Sequence, residues 1–310
     1  MKIYIQKPPH RAWETINNGY KSAWAHEGFN VVEYTTVEEI NESKGSYDIM
    51  AVDWLIKTQE AVDVLKNSNR AYFFPQPNNF PLPWGRHPNF ASAVSREHTE
   101  QINESNNIYL WLWSEISEEQ KKECYSKWKW EEINIVQLAF DSINYVPILD
   151  ERYKFDVCFV GGWANNGFDE KRQIMLKYFQ PFMKSDLKCG IFVEKNLTYE
   201  QENLLLYNSK VSINIHDAHH YHTQDHTNER TYKGLGLTGA LVSDGGGKIQ
   251  MKKLFPEVPL CDTPEEMFDA VERYVKMPEK ELQLIKEKNR EEVRENHTYI
   301  NRVRKMIDIG

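Results

Sequence analysis

The sequence predicts an α/β fold with two Rossmann-like domains, each built on a parallel sheet. Short apolar strands alternate with helical segments along both halves of the chain, and this alternation is typical of parallel sheets covered by helices. The 310 residues, at 36.6 kDa, exceed the usual length of a single domain. We therefore expect two domains, at residues 1–150 and 151–310.

The first half contains apolar runs of strand length separated by amphipathic segments. Prolines 75, 77, 81, 83 and 88 predict a rigid loop over 73–90. The predicted elements are strands at 2–6, 30–34, 47–52 and 108–113, and helices at 12–27 and 117–127.

The second half follows a predicted linker at 147–154 and repeats the strand–helix alternation. Thr198 with Gln201, and Thr263 with Glu266, form the side-chain pairs that cap helix N-termini. The predicted strands are 155–160, 189–193, 211–216 and 240–244. The predicted helices are 169–182, one from the Thr198 cap to 207, 231–238, one from the Thr263 cap to 274, and a long final helix at 281–309.

The two halves differ in charge and in tryptophan content. Residues 1–150 carry 14 basic and 21 acidic side chains, and residues 151–310 carry 24 and 25. Eight of the nine tryptophans precede residue 131. An acidic, tryptophan-rich half disfavours a nucleic-acid surface and suits a pocket for a carbohydrate, although each tryptophan can equally be a core residue.

Composition excludes several classes of protein. The chain is 40% hydrophobic and 27% charged, which is globular, and no apolar run approaches the length of a membrane span. The first residues read as a strand rather than a signal peptide, so we expect a cytoplasmic protein. Four widely spaced cysteines fit neither a zinc knuckle nor a disulfide framework and are expected to be reduced.

Three loops at predicted strand ends in the second half have unusual sequences. The first, Gly161-Gly162-Trp163, allows close backbone approach to a ligand, although a plain tight turn fits equally well. The second, at 216–226, contains five of the ten histidines and suggests a metal site, a polar loop that contacts phosphate or sugar, or a loop that is only solvated. The third, at 228–244, places Arg230 and Lys233 in the first turns of a helix, where they either bind a diphosphate or are surface cations.

These segments together resemble the C-terminal half of the CgeB-like glycosyltransferases. The similar segments are DVCFVGG at 156–162, SINIH at 212–216, the run at 228–244, LFP at 254–256, TPEEM at 263–267 and HTYINR at 297–302. The resemblance covers about residues 155–305. It implies the GT-B arrangement of two facing Rossmann-like domains, with the C-terminal helix crossing back to the first domain.

The resemblance also implies transfer of a hexose-like sugar from a nucleotide sugar, with UDP-sugar as the expected donor and no cofactor or metal. The second domain is then the donor domain and the first the acceptor domain. The acceptor is expected to be a small molecule, a glycan or a protein, and nucleic acid is disfavoured. The expected donor-binding residues are Gly161, Gly162, Trp163, His216, Asn228, Glu229, Arg230, Lys233, Gly239 and Asp244.

Lys233 departs from the family pattern, which usually has a glutamate here that is expected to bind the donor ribose. An ammonium cannot accept the ribose hydroxyl hydrogen bonds. Lys233 therefore contacts phosphate, or Glu229 replaces the missing carboxylate, or the donor differs, or the chain has lost activity.

The first half supplies two candidates for a base that activates the acceptor hydroxyl in an inverting reaction. Asp53 follows a predicted strand and His10 lies in the first loop. A helix cap or a surface position explains either residue as well.

Three other functions remain open from the sequence. They are a non-catalytic relative that binds nucleotide or sugar, a metal-dependent hydrolase built on the histidine-rich loop, and a glycosyltransferase that acts on modified DNA bases.

Overall fold

The computed structural model describes residues 1–7, 11–41, 46–53, 56–78, 92–163 and 170–310. The chain divides into two compact units. The first comprises Met1–Gln137 together with Ile300–Gly310, and the second is Leu138–Tyr299. The division therefore falls before the boundary at 150 that we expected from the sequence.

The first unit contains a six-stranded parallel sheet in the order β2-β1-β3-β4-β5-β6. Its strands are β1 (Lys2–Gln6), β2 (Asn30–Tyr34), β3 (Asp48–Val52), β4 (Arg70–Phe74), β5 (Ile108–Leu112) and β6 (Asn134–Ile135). Its helices are α1 (Arg11–His26), α2 (Glu38–Asn41), α3 (Gln59–Lys66), α4 (Arg96–Asn103) and α5 (Glu118–Cys124).

The second unit contains a five-stranded parallel sheet in the order β11-β10-β9-β7-β8. Its strands are β7 (Val157–Gly161), β8 (Cys189–Val193), β9 (Val211–Asn214), β10 (Leu241–Asp244) and β11 (Leu260–Cys261). The helices that follow β7 are α6 (Glu170–Met183), α7 (Tyr199–Tyr207), α8 (His220–Thr223), α9 (Glu229–Leu237), α10 (Lys248–Leu254), α11 (Pro264–Lys276), α12 (Glu279–Asn296) and α13 (Tyr299–Ile309).

Each sheet has its own apolar core. Ile49, Ala71 and Phe73 lie in the core of the first unit, and Phe159 and Ile213 lie in that of the second. These buried positions come from near-continuous apolar strands, which is the expected composition of parallel strands covered on both faces. The α/β class and the two parallel sheets predicted from the sequence are thus confirmed.

The predicted helix at 281–309 is wrong in its continuity, because the chain leaves the helix at His297 and Thr298. The Phe140 amide donates to the His297 carbonyl at 2.8 Å, and the Tyr299 amide donates to the Phe140 carbonyl at 3.1 Å. This bridge with Phe140 separates α12 from α13, and residues from Ile300 onward belong to the first unit.

The proline-rich segment predicted as a loop at 73–90 begins later than expected. Strand β4 ends at Phe74, so the first two residues of the predicted loop belong to the strand. Residues 79–91 lie outside the described part of the chain, and so does most of this prediction.

Candidate functional site

The second sheet changes winding direction between β7 and β9, and we call this position the switch point. From β7 the chain runs through α6 to β8 on one side, and then through α7 to β9 on the other. In open parallel sheets the crevice at the carboxyl ends of two such strands is the usual ligand site.

Arg230 in the first turn of α9 spans this switch point. Its Nε donates to the Val160 carbonyl of β7 at 3.1 Å, and its Nη1 donates to the Ile215 carbonyl after β9 at 2.9 Å. The guanidinium also lies over the Phe159 ring, 4.8 Å from its centroid. These contacts fix the cation. Nη2 has no hydrogen-bond partner among the described residues and remains available as a donor.

The glycines at the end of β7 leave room for this arginine. A Cβ at Gly161 would lie 2.6 Å from Arg230 Nη2, and a Cβ at Gly162 would lie 2.6 Å from Glu194 Oε1. The Trp163 amide donates to Glu194 Oε1 at 3.1 Å. The close approach of the Arg230 and Glu194 side chains therefore explains the two glycines. Glu194, which follows β8, fixes the loop through its hydrogen bond with the Trp163 amide.

His216 and Asp244 form a buried pair at the ends of β9 and β10. The His216 amide donates to Asp244 Oδ2 at 2.7 Å, and Nδ1 lies 2.5 Å from Oδ1. Burial raises the pKa of Asp244, but the neighbouring His216 outweighs burial and the net pKa is lowered. Both residues are fully buried, and their pairing joins the loops that follow the two strands. The sequence had suggested that both contact the ligand directly.

Asn214, the last residue of β9, connects this pair to α9. Its amide nitrogen donates to Thr231 Oγ1 at 3.0 Å, and its Oδ1 accepts from Arg230 Nη1 at 3.2 Å. We did not single out Asn214 from the sequence, although its place at the carboxyl end of a predicted strand was the available signal.

Asn228 and Glu229 begin α9 beside Arg230. The Asn228 side chain accepts from the Thr231 amide at 3.3 Å and caps the helix, while its Nδ2 is buried without a partner among the described residues. Glu229 Oε1 is likewise buried without one. Burial raises the pKa of Glu229. Two polar atoms at this helix N-terminus thus remain to be satisfied.

Lys233 lies one turn further along α9 and is not free to contact a phosphate. Its Nζ donates to Glu202 Oε2 at 2.8 Å and lies 3.8 Å from Glu229 Oε2, and the residue is 6% exposed. Tyr145 donates its hydroxyl to the same Glu202 oxygen at 2.5 Å. Burial lowers the pKa of Lys233, but the two glutamates outweigh it and the net pKa is raised.

Gly239 lies at the other end of α9 and does not belong to the site. Its φ of +82° is the left-handed conformation that favours glycine after a helix. A Cβ here would lie 2.4 Å from the Lys286 carbonyl oxygen of α12. Because Gly239 precedes β10 at the amino edge of the sheet, its role in the described structure is to let α9 and α12 pack closely.

The histidine-rich loop forms a compact cluster beside the site. Side-chain ligand atoms of His219, His220 and His226 all lie within 4.8 Å of one another. Burial lowers the pKa of His226 to about 3 and that of His220 well below its usual value, so both rings are neutral at pH 7. The side chain of His222 lies outside the described part of the chain.

Of the two candidate bases in the first unit, the structure describes only Asp53. His10 lies outside the described residues. Asp53 is fully buried and accepts hydrogen bonds from the Gln76 amide at 3.1 Å, the Ser92 hydroxyl at 2.6 Å and the Ala93 amide at 2.9 Å. Its carboxylate anchors these loop segments, and a base needs a free oxygen near the acceptor, so we withdraw Asp53 as the candidate base.

Tryptophans of the first half are divided between core and loop. Trp24, Trp111 and Trp128 are buried. Trp13 and Trp113 are partly exposed, with ring centroids 4.7 Å apart, and they lie at the carboxyl edge of the first sheet. The carbohydrate pocket expected in this half stays a prediction.

The comparison with protein families assigns the chain to a family. The family described as Glycosyl transferase-like matches residues 147–308, more than half of the chain, and the chain belongs to this family. No curated protein sequence matches the chain significantly. Among the described residues, every helix is too short or too polar to cross a membrane.

Solved structures share the fold along essentially the whole chain. An alpha-glucosyltransferase in complex with UDP and a 13-mer DNA containing a HMU base has a TM-score of 0.64 and 11% identity, and covers 100% of this chain and 98% of that chain. A structure of alpha-glucosyltransferase (AGT) in complex with UDP has a TM-score of 0.58, 11% identity and coverages of 100% and 99%. Spinosyn forosaminyltransferase SpnP has a TM-score of 0.55, 10% identity and coverages of 100% and 99%. At these identities the likeness establishes the fold, which is GT-B.

Proposed function

We propose that this protein transfers a sugar from a nucleotide-sugar donor, with UDP-sugar as the first candidate, to a hydroxyl acceptor. The observation that carries the proposal is the Arg230 guanidinium, which is fixed across the switch point by two carbonyls and whose Nη2 has no hydrogen-bond partner in the described part of the chain. Donors of this kind contain a diphosphate, and arginine binds phosphate through charge-assisted hydrogen bonds. The family match and the GT-B fold support the reaction class.

The proposed chemistry uses Arg230 and the start of α9 to stabilise the leaving group. As the acceptor oxygen bonds to the anomeric carbon, the bond from that carbon to the diphosphate oxygen breaks and negative charge collects on the diphosphate. A preorganised cation and the free N–H groups of a helix N-terminus stabilise such charge. No step of this scheme requires a metal ion.

Glu229 is our candidate for the donor ribose contact. Its Oε1 is buried without a hydrogen-bond partner among the described residues, and a ribose hydroxyl can donate to it. The Lys233 ammonium is paired with Glu202, so Lys233 affects the ribose contact indirectly, through the position and charge of Glu229. This assignment accounts for the lysine that replaces the glutamate of the CgeB-like pattern.

We propose that the acceptor binds at the first unit. The partly exposed rings of Trp13 and Trp113 provide apolar faces of the kind that sugars and small aromatic molecules stack on. A glycan or a small-molecule acceptor fits these rings and the acidic charge of the first half better than DNA does.

A non-catalytic relative that only binds nucleotide or sugar is the second candidate. The observation that favours it is Asp53, whose carboxylate is occupied by three loop hydrogen bonds. Release of free nucleoside diphosphate in the presence of donor separates the two candidates, because a binding protein leaves the donor intact.

The test is a thermal-shift screen of nucleoside diphosphates and nucleotide sugars against wild type and Arg230→Ala. A ligand that binds the native state raises the melting temperature by mass action. We expect a shift with UDP or a UDP-sugar in wild type and at least about 10-fold weaker binding in Arg230→Ala, since a charged hydrogen bond contributes about 1.5–3 kcal/mol.

Arg152→Ala is the matched control, because Arg152 is exposed and pairs with Asp150 on the surface of the same unit. It should bind donor as wild type does. Unchanged donor affinity in Arg230→Ala would refute the diphosphate assignment, and no shift with any nucleotide would refute the donor site.

A further inference from the structure

The loop between β9 and α9 brings three imidazoles together beside the proposed donor site. His219, His220 and His226 place one ligand nitrogen each within 4.8 Å of the others. Ring centroids are 3.9 Å apart for His219 and His220, and 4.6 Å apart for His220 and His226. Such a cluster has no part in the transfer scheme described above.

His220 is the unusual member of the cluster. The residue is 2% exposed, and both of its ring nitrogens are buried without a hydrogen-bond partner among the described residues. Leaving a buried polar atom unpaired costs about 1–3 kcal/mol, and native proteins seldom tolerate it without a reason. A ligand that pairs with one ring nitrogen of His220 would remove the cost at that nitrogen.

The backbone around the cluster is held in place by a neighbouring loop. The Gly247 amide donates to the His220 carbonyl at 3.1 Å, and the Ile249 amide donates to the Gln224 carbonyl at 2.9 Å. The Thr227 amide donates to Gln250 Oε1 at 2.6 Å. These bonds attach both ends of the histidine segment to the start of α10. The backbone that carries the three histidine side chains is therefore fixed.

We propose that His219, His220 and His226 bind a divalent transition-metal ion of the Zn²⁺ class. Imidazole nitrogen is a preferred ligand of these ions, and three protein nitrogens leave a position for water or an anion. The proposal goes beyond the proposed function, because the transfer scheme does not route any step through this ion.

Binding requires a small rearrangement of the rings. A coordinated ion lies in the plane of each imidazole, about 2.0–2.1 Å from the nitrogen. The rings of His220 and His226 are 12° from parallel, so their planes do not meet at one point between them. Coordination therefore requires the partly exposed His219 and His226 side chains to rotate towards the buried His220.

The test measures metal binding by the untagged full-length protein. Apo protein prepared with a chelator is titrated with Zn²⁺ in competition with a chromophoric chelator, and with Co²⁺ while visible absorption is recorded. We expect one Zn²⁺ per chain, a visible Co²⁺ spectrum of low coordination number, and a higher melting temperature in the presence of Zn²⁺.

His220→Ala should weaken Zn²⁺ binding by more than about 10-fold. His226→Ala, at a partly exposed position, gives the same readout if the buried substitution impairs folding, which circular dichroism detects. His26→Ala, at the exposed end of α1, is the control and should bind as wild type does. Absence of stoichiometric Zn²⁺ in wild type, or unchanged binding in both cluster variants, overturns the proposal.

The two proposals fail separately. Donor binding by the metal-free protein tests the donor site alone, and Zn²⁺ binding without nucleotide tests the histidine cluster alone. Transfer that disappears with a chelator and returns with Zn²⁺ would contradict the metal-independent scheme and leave the metal site standing.

Discussion

Two basic residues three positions apart on α9 have different roles. Arg230 extends across the ends of β7 and β9, whereas Lys233 turns towards Glu202 and becomes buried. Both are cations near a helix N-terminus, so residue type and spacing predicted the same phosphate contact for each. The partner that distinguishes them, Glu202, comes from α7 and cannot be inferred from the local sequence.

Lys233→Glu should destabilise the second unit. It would place three carboxylates, from residues 202, 229 and 233, in one buried cluster. We expect the free energy of unfolding to fall by about 3–5 kcal/mol, since breaking a buried ion pair leaves an uncompensated charge. Chemical denaturation followed by circular dichroism measures this change.

The charge swap Lys233→Glu with Glu202→Lys is the matched control. It restores one opposite-charge contact and should recover part of the lost stability, with coupling between the two substitutions. A single Lys233→Glu variant as stable as wild type would show that the lysine does not pair with these carboxylates in the folded protein.

At the scale of helices and strands, local signals were sufficient where they were strong. Thr198 with Gln201 forms the predicted cap pair of α7, and β8 has its predicted bounds. Thr263 caps α11 as predicted, but the Glu266 carboxylate accepts from the Asp262 amide instead of the Thr263 amide.

We did not predict α3 and α4, although Thr58 and Ser95 cap them. In α4 only one apolar residue, Ile102, is buried, so its periodic pattern is weak, whereas α3 buries four apolar side chains and was overlooked.

Gly239→Ala tests the packing of α9 against α12. The substitution combines a left-handed backbone with a Cβ that would lie 2.4 Å from the Lys286 carbonyl oxygen. We expect a loss of about 2 kcal/mol or more in stability, measured by chemical denaturation, because strained φ angles alone cost about 1–2 kcal/mol. Nucleotide affinity should not change.

Gly28→Ala is the control for backbone strain alone. Gly28 also has a positive φ, of +85°, but nothing lies within 4 Å of its Cβ position. It should cost less than Gly239→Ala does. Equal losses would show that α9 and α12 do not approach as closely as described.

Lys286 on α12 gives a pH dependence whose sign is defined. Burial lowers its pKa to about 8, from 10.5, while its Nζ donates to the Ser209 carbonyl at 2.8 Å. Between these pH values the unfolded chain binds more protons at this residue, so its contribution to stability rises with pH over that interval. Below pH 8 the contribution is lost.

Lys286→Met removes this titration and keeps a long apolar side chain. The stability of the variant relative to wild type should therefore decrease as pH rises from 8 to 10.5, by up to about 3 kcal/mol. Denaturation of both proteins at pH 7.5, 9 and 10.5 measures the difference. A difference that stays constant with pH would contradict the lowered pKa.

At the scale of the whole molecule, the sequence predicted two parallel-sheet units and a site at one sheet edge. It placed Arg230 and the Gly161-Gly162 loop at that edge, but it did not single out Glu194, which follows β8, or Asn214, the last residue of β9. Their partners are more than 15 residues distant, and single-residue patterns do not report such pairings.

Residues 300–310 should be required for the stability of the first unit. Arg304 pairs with Glu27 at 2.9 Å, and the Arg302 Nε donates to the Gln137 carbonyl at 3.0 Å. Val303 and Met306 are fully buried. Deleting these residues should cost several kcal/mol, since each buried aliphatic side chain contributes about 1.5–3 kcal/mol.

Tryptophan fluorescence isolates that effect, because eight of the nine tryptophans precede residue 131. The deletion should shift the fluorescence transition to lower denaturant concentration, while nucleotide binding persists. Arg304→Ala, which removes a surface ion pair, should shift it only slightly. An unchanged transition in the deletion variant would contradict the assignment of 300–310 to the first unit.

The interrupted course of the chain also has a consequence for its synthesis. Residues 138–299 form their unit from one continuous stretch, whereas the unit begun by 1–137 acquires its last helix from 300–310. Domains usually fold in the order in which they leave the ribosome. Here the segment translated second can be complete first, while the earlier segment waits on the ribosome, incomplete, for a helix encoded more than 160 codons later.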